Sequence, residues 1–218
     1  GFGHGSLQRD SEELHELVVY LRAHRQAETI AMVGHSTGCQ NIVHYLRDHS
    51  INLAVLQAPV SDREHAATED GYEEHLKMAR SLQAEGKAQE MVPRSAFWAP
   101  ITAQRLLDLH EKGGSDDFFS SDFSDEELAS RLGHVGTSGV KKCVVAFSGV
   151  DEYVPDFVNG QDLTNRLVVA MNSNKDGVAE SLYLSTGNHN LSTGIEDQDA
   201  FVARVTALMN DLASGGLA

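Results

Sequence analysis

The most constraining stretch of this chain lies between residues 29 and 49. Thr29-Ile30-Ala31-Met32-Val33 is a short apolar run. It is closed by Gly34-His35-Ser36-Thr37-Gly38, after which Ile42, Val43 and Leu46 recur at helical spacing. The run predicts a buried strand and residues 37–49 predict a helix. A serine in Gly-x-Ser-x-Gly between strand and helix sits on a turn so tight that its backbone is strained, and flanking glycines avoid clashes with neighbouring chain. Its hydroxyl then projects above the strand end. It also stands at a helix start, where free N–H groups and the positive dipole end stabilise negative charge. Ser36 is therefore the candidate nucleophile and the Thr37 N–H a candidate oxyanion donor. Gly34, His35 and Gly38 complete the elbow. The pentapeptide also occurs in plain Gly-Ser turns, so its flanks carry the reading.

The surroundings supply a frame. Asn52-Leu53-Ala54-Val55-Leu56 is a second apolar strand, stopped by Ala58-Pro59. Two such strands joined by a helix make a parallel unit. Before them, Leu14, Leu17, Val18 and Leu21 mark one face of a helix over 7–25. Residues 60–139 contain no convincing strand. They predict a polar helix over 63–85 and a second over 102–109. A third opens at the capping box Ser124-Asp125-Glu126-Glu127. The strand rhythm returns at Cys143-Val144-Val145-Ala146-Phe147, followed by a helix over 161–171 and the strand Ser181-Leu182-Tyr183-Leu184. A last helix over 195–212 is amphipathic through Phe201, Val202, Val205, Leu208 and Met209. The expectation is an α/β fold with a parallel sheet, its core in 1–59 and 140–218, and a helical cap inserted over 60–139.

A serine nucleophile needs a base, and the base an orienting acid. On this arrangement the chain order is Ser, acid, His. The chain has 11 His, and His189 alone lies after residue 134. It falls in the loop after the strand ending at Leu184, where catalytic groups gather in open α/β sheets. The acid belongs after the preceding strand. Asp151 is the first carboxylate there, Glu152 is the alternative, and Asp156 lies further on. Blander readings put Asp151 in a turn and His189 on a surface loop. His35 is expected to point away from the site, as a packing residue or a support behind the catalytic groups, and Cys39 to pack as a small hydrophobe. His65, His75 and nearby acids read as a solvated face rather than a metal site. The tract Asp116-Asp117 to Asp122 reads as a loop ordered by Phe118, Phe119 and Phe123, with calcium binding as the alternative.

Composition excludes other classes. The formal charge of −15 repels phosphate backbones, which argues against nucleic acid as a partner. Within 60–139 there are 16 acids and 8 bases, so 8 of the 15 net charges sit in the expected cap. No apolar run approaches the roughly 18 residues of a membrane span. Two Cys read as free thiols in a reducing compartment, so a cytoplasmic setting is expected. The chemistry calls for no cofactor and no metal.

Several segments resemble a mostly fungal family of α/β-hydrolase-like proteins of largely unknown function, with siderophore-esterase-like members. They are Gly34-His35-Ser36-Thr37-Gly38-Cys39-Gln40, Leu56-Gln57-Ala58-Pro59-Val60-Ser61-Asp62-Arg63-Glu64, Ile101-Thr102-Ala103-Gln104-Arg105-Leu106, the stretch from Asp116-Asp117 to Asp122, and Ser148-Gly149-Val150-Asp151-Glu152-Tyr153-Val154-Pro155. The resemblance implies Ser36 as nucleophile, Asp151 as acid and His189 as base. Such proteins begin upstream of Gly1-Phe2-Gly3, with first strands and a Gly-rich loop bearing the second oxyanion donor. Only 35 residues precede Ser36. The expectation is therefore an N-terminally truncated hydrolase domain with a partial sheet, an open apolar edge beside the nucleophile strand, and weak activity on its own. The substrate would be a small-molecule ester, siderophore esters among them. The alternatives are a non-catalytic binding protein on the same scaffold and an acyltransferase using the same triad.

Overall fold

The structure, a computed structural model, describes residues 2–216. Gly1, Leu217 and Ala218, which fall in the expected core segments 1–59 and 140–218, lie outside the described residues. After a 3-10 turn at Phe2–His4 the elements are α1 (Leu7–Arg25), β1 (Ala31–His35), α2 (Thr37–Tyr45), β2 (Leu53–Gln57), α3 (Asp62–Ala66), α4 (Tyr72–Ala84), α5 (Ala103–His110), α6 (Asp125–Leu132), α7 (His134–Thr137), β3 (Lys142–Ser148), α8 (Gly160–Met171), β4 (Ala179–Leu184) and α9 (Ile195–Ala213). The four strands form one parallel sheet in sequence order, β1-β2-β3-β4.

The central strands show why the sequence folds this way. Ala54, Leu56, Cys143, Val145 and Phe147 face one apolar cluster with residues of α1, α2, α6 and α8. Their neighbours Leu53, Val55, Val144 and Ala146 face the other way, onto Val205 and Leu208 of α9. A strand buried on both faces needs apolar residues along its interior, and Leu53–Leu56 and Cys143–Phe147 supply them. Caps punctuate the helices. Ser6 accepts from the Arg9 N–H at 3.2 Å, Thr102 from the Arg105 N–H at 3.2 Å, and Ser124 with Glu127 forms the expected reciprocal box.

Several expectations are corrected. β1 is not a buried strand: Gly34 alone is buried in it, and Val33 is 50% exposed. It pairs with β2 on one side, and among the described residues no strand pairs with its other edge. On α1, Val18 is buried while Leu17 is 53% exposed. α9 likewise buries Val205 and Leu208 but leaves Val202 and Met209 exposed, because only one stripe of the helix meets the sheet. The single helix expected over 63–85 is two, α3 and α4, broken before Gly71, whose φ of 80° only glycine adopts easily.

Residues 60–139 pack in two ways. Leu76 and Ala79 of α4 meet Leu106, Leu107 and Leu109 around α5 in an apolar cluster of their own. Phe118, Phe119, Phe123, Leu128 and Leu132 join the main cluster beside the sheet instead.

Candidate active site

The sheet delivers three loops to one end, the carboxyl ends of β1, β3 and β4. At the first, Ser36 has φ 55° and ψ −125°, a left-handed conformation that a non-glycine residue holds only under strain. The turn is locked: the Ser36 N–H donates to the Gln57 carbonyl at 3.0 Å and the Cys39 N–H to the Ser36 carbonyl at 2.8 Å. A side chain at Gly34 would place Cβ 2.5 Å from the Gly38 carbonyl oxygen, so this glycine is required. Gly38 is different. A Cβ there meets nothing within 4 Å among the described residues, so the expected crowding applies to Gly34 alone. Ser36 stands at the N-cap of α2 but makes no side-chain capping bond, which leaves its hydroxyl available. Thr37 begins the helix and presents one of the N–H groups that have no acceptor within it.

The second loop carries Asp151, whose side chain is fully buried. The third carries His189, 8% exposed. The ring Nδ1 of His189 lies 2.8 Å from Asp151 Oδ2 and 3.0 Å from Oδ1. Asp151 Oδ1 also accepts the Tyr153 N–H at 2.9 Å, a second bond that restrains the carboxylate beside the ring. A carboxylate on Nδ1 places the proton there and leaves Nε2 as the basic nitrogen. The two loops are laced by backbone bonds, Gly149 N–H to the Leu184 carbonyl at 2.7 Å and Val150 N–H to the Gly187 carbonyl at 3.1 Å. Gly149 makes this approach possible, since a Cβ would lie 2.7 Å from the Ser185 carbonyl oxygen.

Glu152, the alternative acid, has another task. Its Oε2 accepts the backbone N–H of His189 at 3.0 Å, and this bond pulls the Glu152 carboxyl below its ordinary range. Asp156 is exposed. Gln57, at the end of β2, clamps the base from the opposite side, its Nε2 donating to the His189 carbonyl at 2.9 Å. Gln57 Oε1 is bonded to His35 Nδ1, and the His35 ring centroid lies 4.7 Å from that of His189. His35 therefore supports the base and does not point away from the site. The Tyr153 ring packs 4.5 Å from His189.

Ser36, Thr37 and His189 line one cavity of about 600 Å³ whose other walls come from residues 60–110 and Tyr153. His65 and His75 line it too, which corrects their reading as part of a solvated face. His110, also on the wall, is pushed down to about 4 by burial and by neighbouring His65, Arg105 and His75, so it is neutral. Sequence reasoning missed Gln57 and the aromatic wall of Phe97 and Trp98. The signal for Gln57 was a polar residue ending an otherwise apolar strand, in register with His35.

The acidic tract is consumed internally. Arg63 binds Asp117 at 2.9 Å and also Asp122, and Arg105 binds Asp116 at 2.6 Å. No group of three or more His, Cys, Asp or Glu able to hold a metal ion occurs among the described residues. Cys39 is fully buried against the Gly34 and Gln57 carbonyls, and burial raises its thiol well above the ordinary range. No described helix is long and apolar enough to cross a membrane.

This is the fold of the α/β hydrolases. It superposes on the siderophore hydrolase EstB from Aspergillus fumigatus with a TM-score of 0.82 at 27% identity, over 97% of this chain and 77% of that one. An α/β hydrolase fold protein of unknown function aligns at TM-score 0.58 and 16% identity, over 96% and 72% of the two chains. The chain belongs to the family described as protein of unknown function (DUF1749), whose profile matches residues 1–210. A UPF0613 protein of Schizosaccharomyces pombe is 33% identical over 88% of this chain and 64% of its own length. The fusarinine C esterase of Aspergillus fumigatus is 28% identical over 76% of this chain and 62% of its own. The chain thus spans less than two thirds of the curated relatives it matches.

Proposed function

We propose that this chain carries the catalytic centre of a serine hydrolase that cleaves carboxylic esters. The observation behind the proposal is the Asp151–His189 pair at consecutive strand ends, with His189 and Ser36 lining one cavity. Ser36 attacks the ester carbonyl while His189 Nε2 takes its proton. Asp151 fixes the ring and stabilises its protonated form. The Thr37 N–H holds the oxyanion, assisted by the positive end of α2. His189 protonates the leaving alcohol, and a water that it activates then releases the acid from Ser36. No metal or organic cofactor enters these steps. The fusarinine C esterase and the siderophore hydrolase among the similar proteins favour small-molecule esters, siderophore esters among them. In this reading 60–139 is the cap that shapes the ester pocket over the core of 1–59 and 140–218.

A fluorophosphonate probe tests the centre directly. Covalent labelling is expected at Ser36, lost in Ser36→Ala and strongly slowed in His189→Ala. No labelling at all would favour a non-catalytic binding protein, and labelling that survives Ser36→Ala would place the nucleophile at another residue.

A further inference from the structure

Asp62 has no task in the mechanism above. It is the first residue of α3 and lines the cavity with Ser36 and Thr37. Its Oδ2 accepts the Gln40 Nε2 at 2.6 Å. Arg105, whose charge also acts on Asp62, is bonded to Asp116. Burial, and Asp116 nearby, push the Asp62 carboxyl up to about 7. The surroundings offer acceptors in excess of donors. Gln40 is 1% exposed, and with Nε2 on Asp62 its Oε1 is buried and without a donor among the described residues. Asp116 Oδ2 is buried without a donor as well.

The rest of the cavity points the same way. Glu69 and Asp70 also line it, whereas Arg94 is the one Lys or Arg among the described lining residues. The rim is aromatic, with Trp98 75% exposed and Tyr153 44% exposed. Carboxylates and aromatic faces lining one cavity suit an alkylammonium group: the charge meets the acid, and the polarised CH groups meet the rings. His110 on the wall is neutral and does not compete.

We propose that this cavity selects esters that carry a protonated amine, with Asp62 receiving the ammonium group and the aromatic rim covering its alkyl carbons. The proposal deepens the esterase reading and rests on it for the word ester, but the charge selection can be measured without turnover.

The experiment is a binding titration of the protein, at about pH 8 where both the amine and Asp62 are charged, with phenylpropylamine and its neutral partner phenylpropanol. The amine is expected to bind about tenfold tighter or better. Asp62→Asn should bring its affinity down to that of the alcohol, with circular dichroism confirming the fold. Where turnover is seen, dimethylaminoethyl butanoate should exceed its carbon isostere isoamyl butanoate in kcat/KM by a similar factor. Equal affinity for amine and alcohol in the wild type overturns the proposal with no variant needed. So does an amine preference that survives Asp62→Asn. Failure of the esterase reading shows separately, as absent fluorophosphonate labelling.

Discussion

Asp62 makes the stability of this protein depend on pH in a direction opposite to most carboxylates. Its carboxyl moves from an ordinary 3.8 in the unfolded chain to about 7 when folded, chiefly through burial. The folded state therefore binds the proton more tightly, and Asp62 adds stability at low pH that is lost as pH rises through about 7. Over the full shift this amounts to about 4 kcal/mol. Between pH 5 and pH 8 the loss is about 2.5 kcal/mol, and water in the open cavity screens it to about 1.5–2.5 kcal/mol. Asp62→Asn has no proton to gain but keeps an acceptor for Gln40 Nε2. The variant should thus gain on the wild type as pH rises. Urea unfolding of both proteins at the two pH values measures this, and His110, which titrates in both, cancels in the difference. An advantage for the variant that changes by less than about 0.5 kcal/mol between pH 5 and pH 8 would show that Asp62 is solvated and ordinary.

Other substitutions test separate parts of the site. Asp151→Asn should cut kcat about 10⁴-fold, since an amide favours the wrong ring tautomer. Glu152→Gln should cost far less, because it weakens a backbone tether and leaves the ring bond intact; equal losses would mean the acid has been misassigned. Gly34→Ala drives a Cβ against the Gly38 carbonyl and should abolish both labelling and cooperative unfolding, whereas Gly38→Ala, which meets open space, should retain them. Phe119→Ala, at a ring 1% exposed, should cost about 3–5 kcal/mol in urea unfolding. Thiol reagents should leave Cys39 and Cys143 unmodified in the native state, since both are buried and both thiols are raised; rapid modification would place one of them at the surface.

The parts of this molecule that the sequence announces are those where one residue type has one physical use. The elbow glycine Gly34 is such a case, because no other side chain fits beside Gly38. The apolar runs of β2 and β3 are another, because a strand covered on both faces tolerates little else. Asp151 and His189 were legible by their place after strands, an inference about chain order and not about contact. What stayed hidden is contact between loops. Nothing in Gln57, His35 or Glu152 separately says that they converge on His189. Periodicity likewise overstated burial in α1 and α9, because spacing shows which residues share a face and not how wide a face the neighbour covers.

The acids of residues 60–139 divide in the same way, with more consequence. From composition they form one pool, 16 acids against 8 bases over residues 60–139. The fold divides that pool into populations with opposite uses. Asp116, Asp117 and Asp122 face arginines, and their charge is spent anchoring the Phe118–Phe119–Phe123 loop against the main core. Asp62, Glu69 and Asp70 face the cavity. The arginines explain the division. Arg63 points from α3 into the loop, so it neutralises Asp117 and Asp122 while its chain neighbour Asp62 is left lining the cavity. One helix start thus sends a cation toward the core and an anion toward the site. A charge reversal at Arg63 should therefore unfold the loop, while loss of charge at Asp62 should change which ligands enter the cavity.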